Sequence, residues 1–477
     1  MSTSQTVNAA LRARLTQVDA SILEVETSIL ELQLRLRSLQ NNWQSIQDQL
    51  DSMVYPVFTL PHEITSNIFL HCLPAETSST AKKGPNLARA PLLLLQVCRT
   101  WRDIALSTPR LWVFLHVNLS NLFRDLEESE LEKLLADWFL RAGACALSFS
   151  AGSPDFMVQI GVIDAIRATL LRFAPRLQSV SLELNIYHFY RFLDIAPFPL
   201  LETLTGNFFF GPGEEGFILG ATPRLRRLVY TGPTSPSMFR RAARACEGLS
   251  AVTCEKRVHP QHFLDLLLSI PSLENFTGSV PDKAVTRHDG VVTHGRLQSL
   301  HLSRHSSVRF LRLLRLPALQ NLHLETDIST CCDECPEFLS LLARSSASLR
   351  RFSTSNRMMY TTEWFSTYMP HLTDLDLWKP QLQFLHDFVR KLDRTQDAGF
   401  LPHLQTLLLR NCVFDVDAPL LQALSSRCTA GEGSSVLTSF RVWPHDLFLL
   451  SLDESQTTAL RALVERGMSI LVADNEV

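Results

Sequence analysis

The chain has 477 residues, 45% of them hydrophobic and 19% charged, with a formal net charge of −3, which predicts two or more globular domains. That balance offers no basic stripe for nucleic acid or for an anionic membrane, and no apolar run approaches the ~20 residues that span a bilayer. Ten scattered cysteines form no framework, so free thiols in a reducing compartment, cytoplasm or nucleus, are expected.

The N-terminal MSTSQTVNAALRAR lacks the basic start and apolar core of a secretion signal. The sequons at Asn118 and Asn275 therefore carry no expectation of glycosylation. From residue 8 to 55 the apolar positions are Leu11, Leu15, Val18, Ile22, Val25, Ile29, Leu32, Leu36, Leu39, Trp43, Ile46, Leu50 and Met53. Their spacings alternate four and three without a break, and the stretch holds no Gly or Pro. A period of 3.5 predicts a left-handed coiled-coil helix, about 65 Å long, whose seam seeks a helical partner. A homodimer through residues 11–53 is the expected use. The other reading is a helix folded back on its own chain. Pro56 ends the segment.

The next stretch, 57–112, opens with Leu60-Pro61 and carries Glu63 where a helix dipole favours a carboxylate. Ile64, Ile68 and Phe69 make an apolar stripe with Leu60 ahead of them. A second half holds Leu94, Leu95, Val97, Cys98, Trp101, Ile104 and Ala105, then Ser107-Thr108-Pro109 as a helix stop and Leu111-Trp112. Between them, residues 75–90 are rich in Ser, Thr, Lys, Gly and Pro and read as a solvated loop. About 50 residues of short helices cannot bury all this apolar surface alone, so some of it is left for a partner or for the next domain. In order and spacing, LPHEITSNIFLHCL, VCRTWRDIA and PRLW resemble an F-box; the insert 75–90 is longer than the motif needs. The resemblance implies a three-helix module that docks a Skp-type adaptor and, through it, a cullin–RING ubiquitin ligase. It assigns the adaptor contact to Leu60, Pro61, Ile64, Ile68, Phe69, Leu95, Val97, Cys98 and Trp101. Trp112 is expected to pack this module against the strand that follows.

From 113 to 477 the chain repeats a phrase P-x-L-x-x-Φ-x-Φ, where Φ is apolar or small. Its first leucines are Leu177, Leu201, Leu225, Leu249, Leu273 and Leu297, each 24 residues apart, then Leu319, Leu349, Leu372, Leu404 and Leu437. A period of 20–29 built on L-x-x-L-x-L is the leucine-rich-repeat signature. Each L-x-L predicts a short strand with leucines inward and the middle residue outward. Prolines two residues before the leucine are expected to end a helix or begin a strand. Helical runs are expected at 131–142, 163–173, 237–246, 262–270, 307–316, 336–343, 383–392, 418–428 and 456–467. Strands are expected near 115–119, 146–149 and 469–472. The predicted class is α/β: a long coiled-coil helix, a small helical domain, and an irregular solenoid with parallel strands inside and helices outside.

No GxSxG, P-loop, HExxH or GxGxxG occurs. Cys331, Cys332 and Cys335 lack a second pair for a structural zinc site, and Gly211, Gly213 and Gly216 form a turn rather than a phosphate cradle. No metal and no cofactor is expected, and the chain is read as non-catalytic. The outward slots are Ser181, Thr205, Val229, Thr253, Thr277, His301, His323, Ser353, Asp376, Leu408 and Arg441. Of these, Thr277, His301, His323, Ser353, Asp376 and Arg441 are candidates to face a target protein, with His301 and His323 in one slot of adjacent repeats. The basic pairs Arg226-Arg227 and Arg350-Arg351 could read an acidic or phosphorylated ligand. Together these parts suggest a substrate receptor of an SCF-type ubiquitin ligase. Its partners would be a Skp-type adaptor, a cullin and an unidentified target. The alternative is a scaffold that assembles a complex without a ligase.

Overall fold

The computed structural model describes residues 2–52, 60–74, 87–119, 128–152, 160–183, 198–206, 222–232, 234, 239–240, 246–283, 290–303, 306–325, 336–345, 348–354, 361–412, 417–428, 436–444 and 453–472. Most of the insert 75–90, the cysteines at 331, 332 and 335, the glycines at 211, 213 and 216, and most of the run 237–246 lie outside them. The chain divides into two compact units, Met1–His71 and Cys72–Val477.

In the first unit, α1 (Ser2–Ser52) is one unbroken helix of 51 residues, about 77 Å long at 1.5 Å per residue. Every described position of the heptad seam, from Leu11 to Ile46, is 49–66% exposed. The second helix, α2 (His62–His71), starts where the Pro61 carbonyl accepts the amides of Ile64 and Thr65 at 3.1 Å each. Proline is at home there, because it lacks only an amide that has no helical partner.

The second unit begins with α3 (Leu94–Val97) and α4 (Arg99–Leu106). Cys98 between them caps α4: its Sγ accepts the Trp101 amide at 3.4 Å. Thr108 ends that helix by donating its hydroxyl to the Ile104 carbonyl at 2.6 Å. A 3-10 turn, Pro109–Trp112, leads into β1 (Phe114–Asn118). Trp112 is fully buried and donates Nε1–H to the Ala105 carbonyl at 3.0 Å. Its ring meets Trp138 edge-on at 4.9 Å and carries the Arg141 guanidinium at 4.7 Å. It therefore joins α4 to α5 (Glu128–Arg141), the helix after the first strand, as much as to the strand itself.

From there strands and helices alternate. The strands are β2 (Leu147–Gly152), β3 (Leu177–Glu183), β4 (Thr203–Gly206), β5 (Arg227–Tyr230), β6 (Ala251–Arg257), β7 (Asn275–Ser279), β8 (Val292–Thr293), β9 (Ser299–Leu302), β10 (Leu314–Arg315), β11 (Asn321–Leu324), β12 (Arg351–Thr354), β13 (Asp374–Trp378), β14 (Thr406–Cys412), β15 (Ser439–Pro444) and β16 (Ser469–Val472). The helices are α6 (Ile160–Phe173), α7 (Pro260–Ser269), α8 (Pro336–Ser345), α9 (Thr362–Tyr368), α10 (Leu382–Leu392), α11 (Ala418–Arg427) and α12 (Glu454–Glu465). Among the described residues, fourteen strands form one parallel sheet in chain order, with β8 and β10 paired apart as a small second sheet. This is an α/β solenoid arrangement: a single sheet advancing one strand per repeat.

Two expectations change. The run 307–316 is not an α-helix but a 3-10 turn, Arg309–Leu313, followed by β10. The prolines do more than stop helices, as Pro271 and Pro370 do directly after the caps Ile270 and Met369; they make the turns before the strands. In six repeats the first leucine's amide bonds the carbonyl three residues back, across a turn whose second residue is Pro199, Pro223, Pro271, Pro317, Pro370 or Pro402. That is the turn position that proline's fixed φ favours. The leucine then enters the core, and all eleven first leucines are at most 1% exposed.

Candidate functional site

Two surfaces stand out. On α2, Thr65 and Phe69 are buried, while Leu60, Ile64 and Ile68 are 36%, 47% and 44% exposed. Leu60, just ahead of the helix, and Ile64 and Ile68 on it thus make one outward apolar stripe at a spacing of four. Phe69, grouped with that stripe by sequence, is 1% exposed and faces inward; its place one residue beyond Ile68 rotates it by about 100°. Pro61 is exposed. In the second unit, Val97 is 51% exposed, and Leu95, Cys98 and Trp101 are half-buried. Arg102 donates Nε–H to the Leu95 carbonyl at 2.8 Å, which ties α4 back to α3.

The second surface is the open face of the sheet. Cα registers link Ser181, Thr205, Val229, Thr253, Thr277, His301, His323, Ser353, Asp376, Leu408 and Arg441 strand by strand into one row. The same row continues to His116 and Ser150 at one end and to Leu471 at the other. The residues on either side of every row member except Leu471 are buried, so the face is a mostly polar strip laid on an apolar core.

At the centre of the row the polar groups converge. The His301 and His323 rings meet edge to face, their centroids 4.2 Å apart. Glu325 Oε1 lies 3.3 Å from His323 Nε2 and 3.7 Å from His301 Nε2. His323 Nδ1 bonds Ser353 Oγ. Burial holds the His323 imidazole below its usual pKa; His301 and Arg410 push the same way and Glu325 opposes them. Asp376 pairs with Arg410. Burial raises that carboxyl above the ordinary range, and Arg410 opposes the rise. The Arg410 guanidinium also lies over Trp443 at 5.1 Å.

Glu325, Arg410 and Trp443 do not appear among the outward slots read from sequence. Each stands two residues beyond a slot, at His323, Leu408 and Arg441, so strand alternation places it on the same face. Registers Trp378–Arg410–Trp443 make this a second row. The L-x-L phrase ends one residue too early to reveal it. The basic pairs are exposed; Arg351 bonds Asp374 at 3.2 Å and Arg350 donates to the His371 carbonyl at 3.3 Å. Cys254 and Cys412 are buried thiols pushed up to about 12 and about 11, which makes them unreactive core residues.

None of the curated proteins matches this chain. Among solved structures, a Bacteroides fragilis protein from a structural-genomics programme aligns with 53% of this chain and 66% of its own, at 12% identity and a TM-score of 0.30. The chain thus spans just under two thirds of that protein. A protein-family model described as F-box-like matches residues 57–118. The stretch that carries α2, α3, α4 and β1 is an F-box-like domain.

Proposed function

We propose that this chain is the substrate-recognition subunit of an SCF-type ubiquitin ligase in the cytoplasm or nucleus. Its F-box-like domain docks a Skp-type adaptor, and its C-terminal solenoid, read as leucine-rich repeats, holds a target protein. The observation that carries the proposal is the F-box-like domain itself, which exposes Leu60 ahead of α2 and Ile64 and Ile68 on it. An outward apolar stripe on a soluble helix is a partner surface when the partner's chemistry is apolar too. The adaptor contact is assigned to Leu60 and Pro61 just ahead of α2, to Ile64 and Ile68 on it, and to Leu95, Val97, Cys98 and Trp101 around α3 and α4. Phe69 serves the interior. The chain then acts by position: it raises the local concentration of target near a transferase that other subunits, beginning with the cullin, supply.

The target side of the proposal rests on the polar row, with Thr277, His301, His323, Ser353, Asp376 and Arg441 as its contacts. The scaffold reading draws on the exposed seam of α1, which needs no ligase to explain it.

The test is binding of the purified full chain to a Skp-type adaptor, wild type against Ile64→Asp and Pro61→Ala. Ile64→Asp places a carboxylate in an apolar contact, where a central residue contributes about 2 kcal/mol or more, so affinity falls on the order of 30-fold or more. Because Ile64 is exposed, that variant keeps its fold by circular dichroism. A folded wild type that does not bind removes the ligase reading and leaves the scaffold.

A further inference from the structure

We propose that His301, His323 and Glu325 form a binding site for a divalent metal ion of the zinc class on the open face of the sheet. The two histidines come from neighbouring strands at one register position, His301 on β9 opposite His323 on β11. Glu325 follows two residues later on the same face, and its amide bonds the Leu302 carbonyl at 2.7 Å, which fixes its backbone beside both rings. One nitrogen of each imidazole and a Glu325 carboxylate oxygen all lie within 4.8 Å of one another. The two nitrogen–oxygen separations are 3.3 and 3.7 Å. Ligands about 2.0–2.2 Å from a tetrahedral zinc stand roughly 3.3–3.6 Å apart, so the side chains need only small rotations to close on an ion.

Three further observations fit. The outer nitrogen of His323 is taken by Ser353 Oγ, which leaves Nε2 aimed at Glu325. A metal-binding histidine ordinarily has such an outer partner, which sets its tautomer and its ring orientation. His301 Nε2 is buried and has no hydrogen-bond partner among the described residues, although a buried polar atom normally has one. An ion between the two rings and the carboxylate would satisfy it. Arg410, whose charge acts on His323, is already paired with Asp376.

The donor set selects the ion class. Two imidazoles and one carboxylate suit zinc and its neighbours rather than calcium or magnesium, which take oxygen ligands. Three protein ligands leave a fourth position open to water. On this face, a histidine, cysteine or carboxylate of a docked protein can take that position instead. The site does not depend on what the F-box-like domain binds.

The experiment uses the full chain stripped of metal by a chelator and then titrated with zinc chloride by calorimetry. The wild type is compared with His301→Ala, His323→Ala and Glu325→Gln, all checked by circular dichroism. Other histidines and cysteines can bind zinc, so the readout is a difference: each variant should bind one equivalent fewer than wild type. Glu325→Gln keeps the shape and the hydrogen bonding, so it serves even if an alanine variant unfolds. Cobalt chloride should give the visible absorption of a four-coordinate nitrogen–oxygen site without a thiolate band, and His323→Ala should abolish it. Equal zinc stoichiometry in wild type and Glu325→Gln, or no cobalt spectrum that depends on His323, overturns the proposal. It would leave His323 as a hydrogen-bond partner of Glu325, with His301 packed beside it.

Discussion

Among the described residues, Arg427 is the largest charged side chain in the core, with 0% exposure. It ends α11 and turns its guanidinium back across the preceding repeat. Nε–H donates to the Leu392 carbonyl at 2.7 Å, an Nη1 hydrogen to Leu401 at 2.8 Å, and an Nη2 hydrogen to Phe400 at 2.6 Å. Burial lowers its pKa to about 10, which still leaves it charged at neutral pH. Those carbonyls belong to the C-terminus of α10 and to the turn after it, where helix carbonyls lack partners of their own. Arg427→Met keeps the volume, removes this donor from the Leu392 and Phe400 carbonyls and leaves Leu401 only the Leu404 amide. We expect a loss of about 3 kcal/mol or more in urea unfolding. Arg427→Lys should recover less than half of it, because an ammonium cannot reach three carbonyls as a planar fork does. Nothing in SSRC around position 427 announces this role. Its partners lie 26 to 35 residues earlier, and only the fold brings them to it. The inward leucines are the opposite case: Leu297 or Leu404 is legible because its burial repeats with the period.

At the scale of elements, the phrase around each leucine specifies the sheet because turn, strand and alternation agree within eight residues. The turn is the part that sequence misassigns. Proline before a strand reads as a helix stop, yet the amide–carbonyl bond from Leu319 to Leu316, at 3.0 Å, shows Pro317 at the second position of a tight turn. Its ring fixes φ in a conformation the turn already uses, so it lowers the entropy of the unfolded chain. Pro317→Ala should therefore cost only about 0.4–1 kcal/mol, and pairs of such changes in distant repeats should add. Chemical denaturation of the single variants and of Pro223→Ala/Pro402→Ala measures both points. A single proline costing several kcal/mol would mean that these turns hold more than local entropy. The helical side of each repeat is less legible. Thr362–Tyr368 is a helix of only seven residues, too short for two full turns of apolar pattern. The run 307–316 shows helical spacing but becomes a 3-10 turn and a two-residue strand. With 22 residues between Leu297 and Leu319, that repeat has less chain for a full helix than its neighbours. The polar cluster was half legible: alternation from His323 reaches Glu325, but its approach to His301 requires the register of two strands.

For the whole molecule, the question is what α1 is for. A helix of 51 residues with Leu, Ile and Val exposed along one seam would gain stability from a matching helix. Each seam residue gains roughly 1.5–3 kcal/mol on burial, and six heptads of them exceed the entropic cost of association by a wide margin. Val, Ile and Leu are mixed at both seam positions, so the pattern leaves strand number open, and a second copy of the chain is the simplest partner. We expect the purified protein to have twice the 53.9 kDa chain mass in light scattering. Ile22→Asp/Ile29→Asp puts two carboxylates per chain into that seam and should return the mass to a single chain, with helix content and adaptor binding intact. The flanks of the seam hold Arg14, Asp19, Glu26 and Arg35 and then mostly Gln and Asn, a sparse set of mixed sign beside an unbroken apolar seam. Added salt should therefore leave the dimer in place, unlike one held by ion pairs. Under the proposed function, two chains joined this way would present two target surfaces per assembly. A bivalent target then binds more tightly than either surface alone allows, by an effective-concentration factor. A mass that stays at one chain in the wild type would assign the seam to a different protein or to this chain's own surface, and the gain from bivalency would go with it.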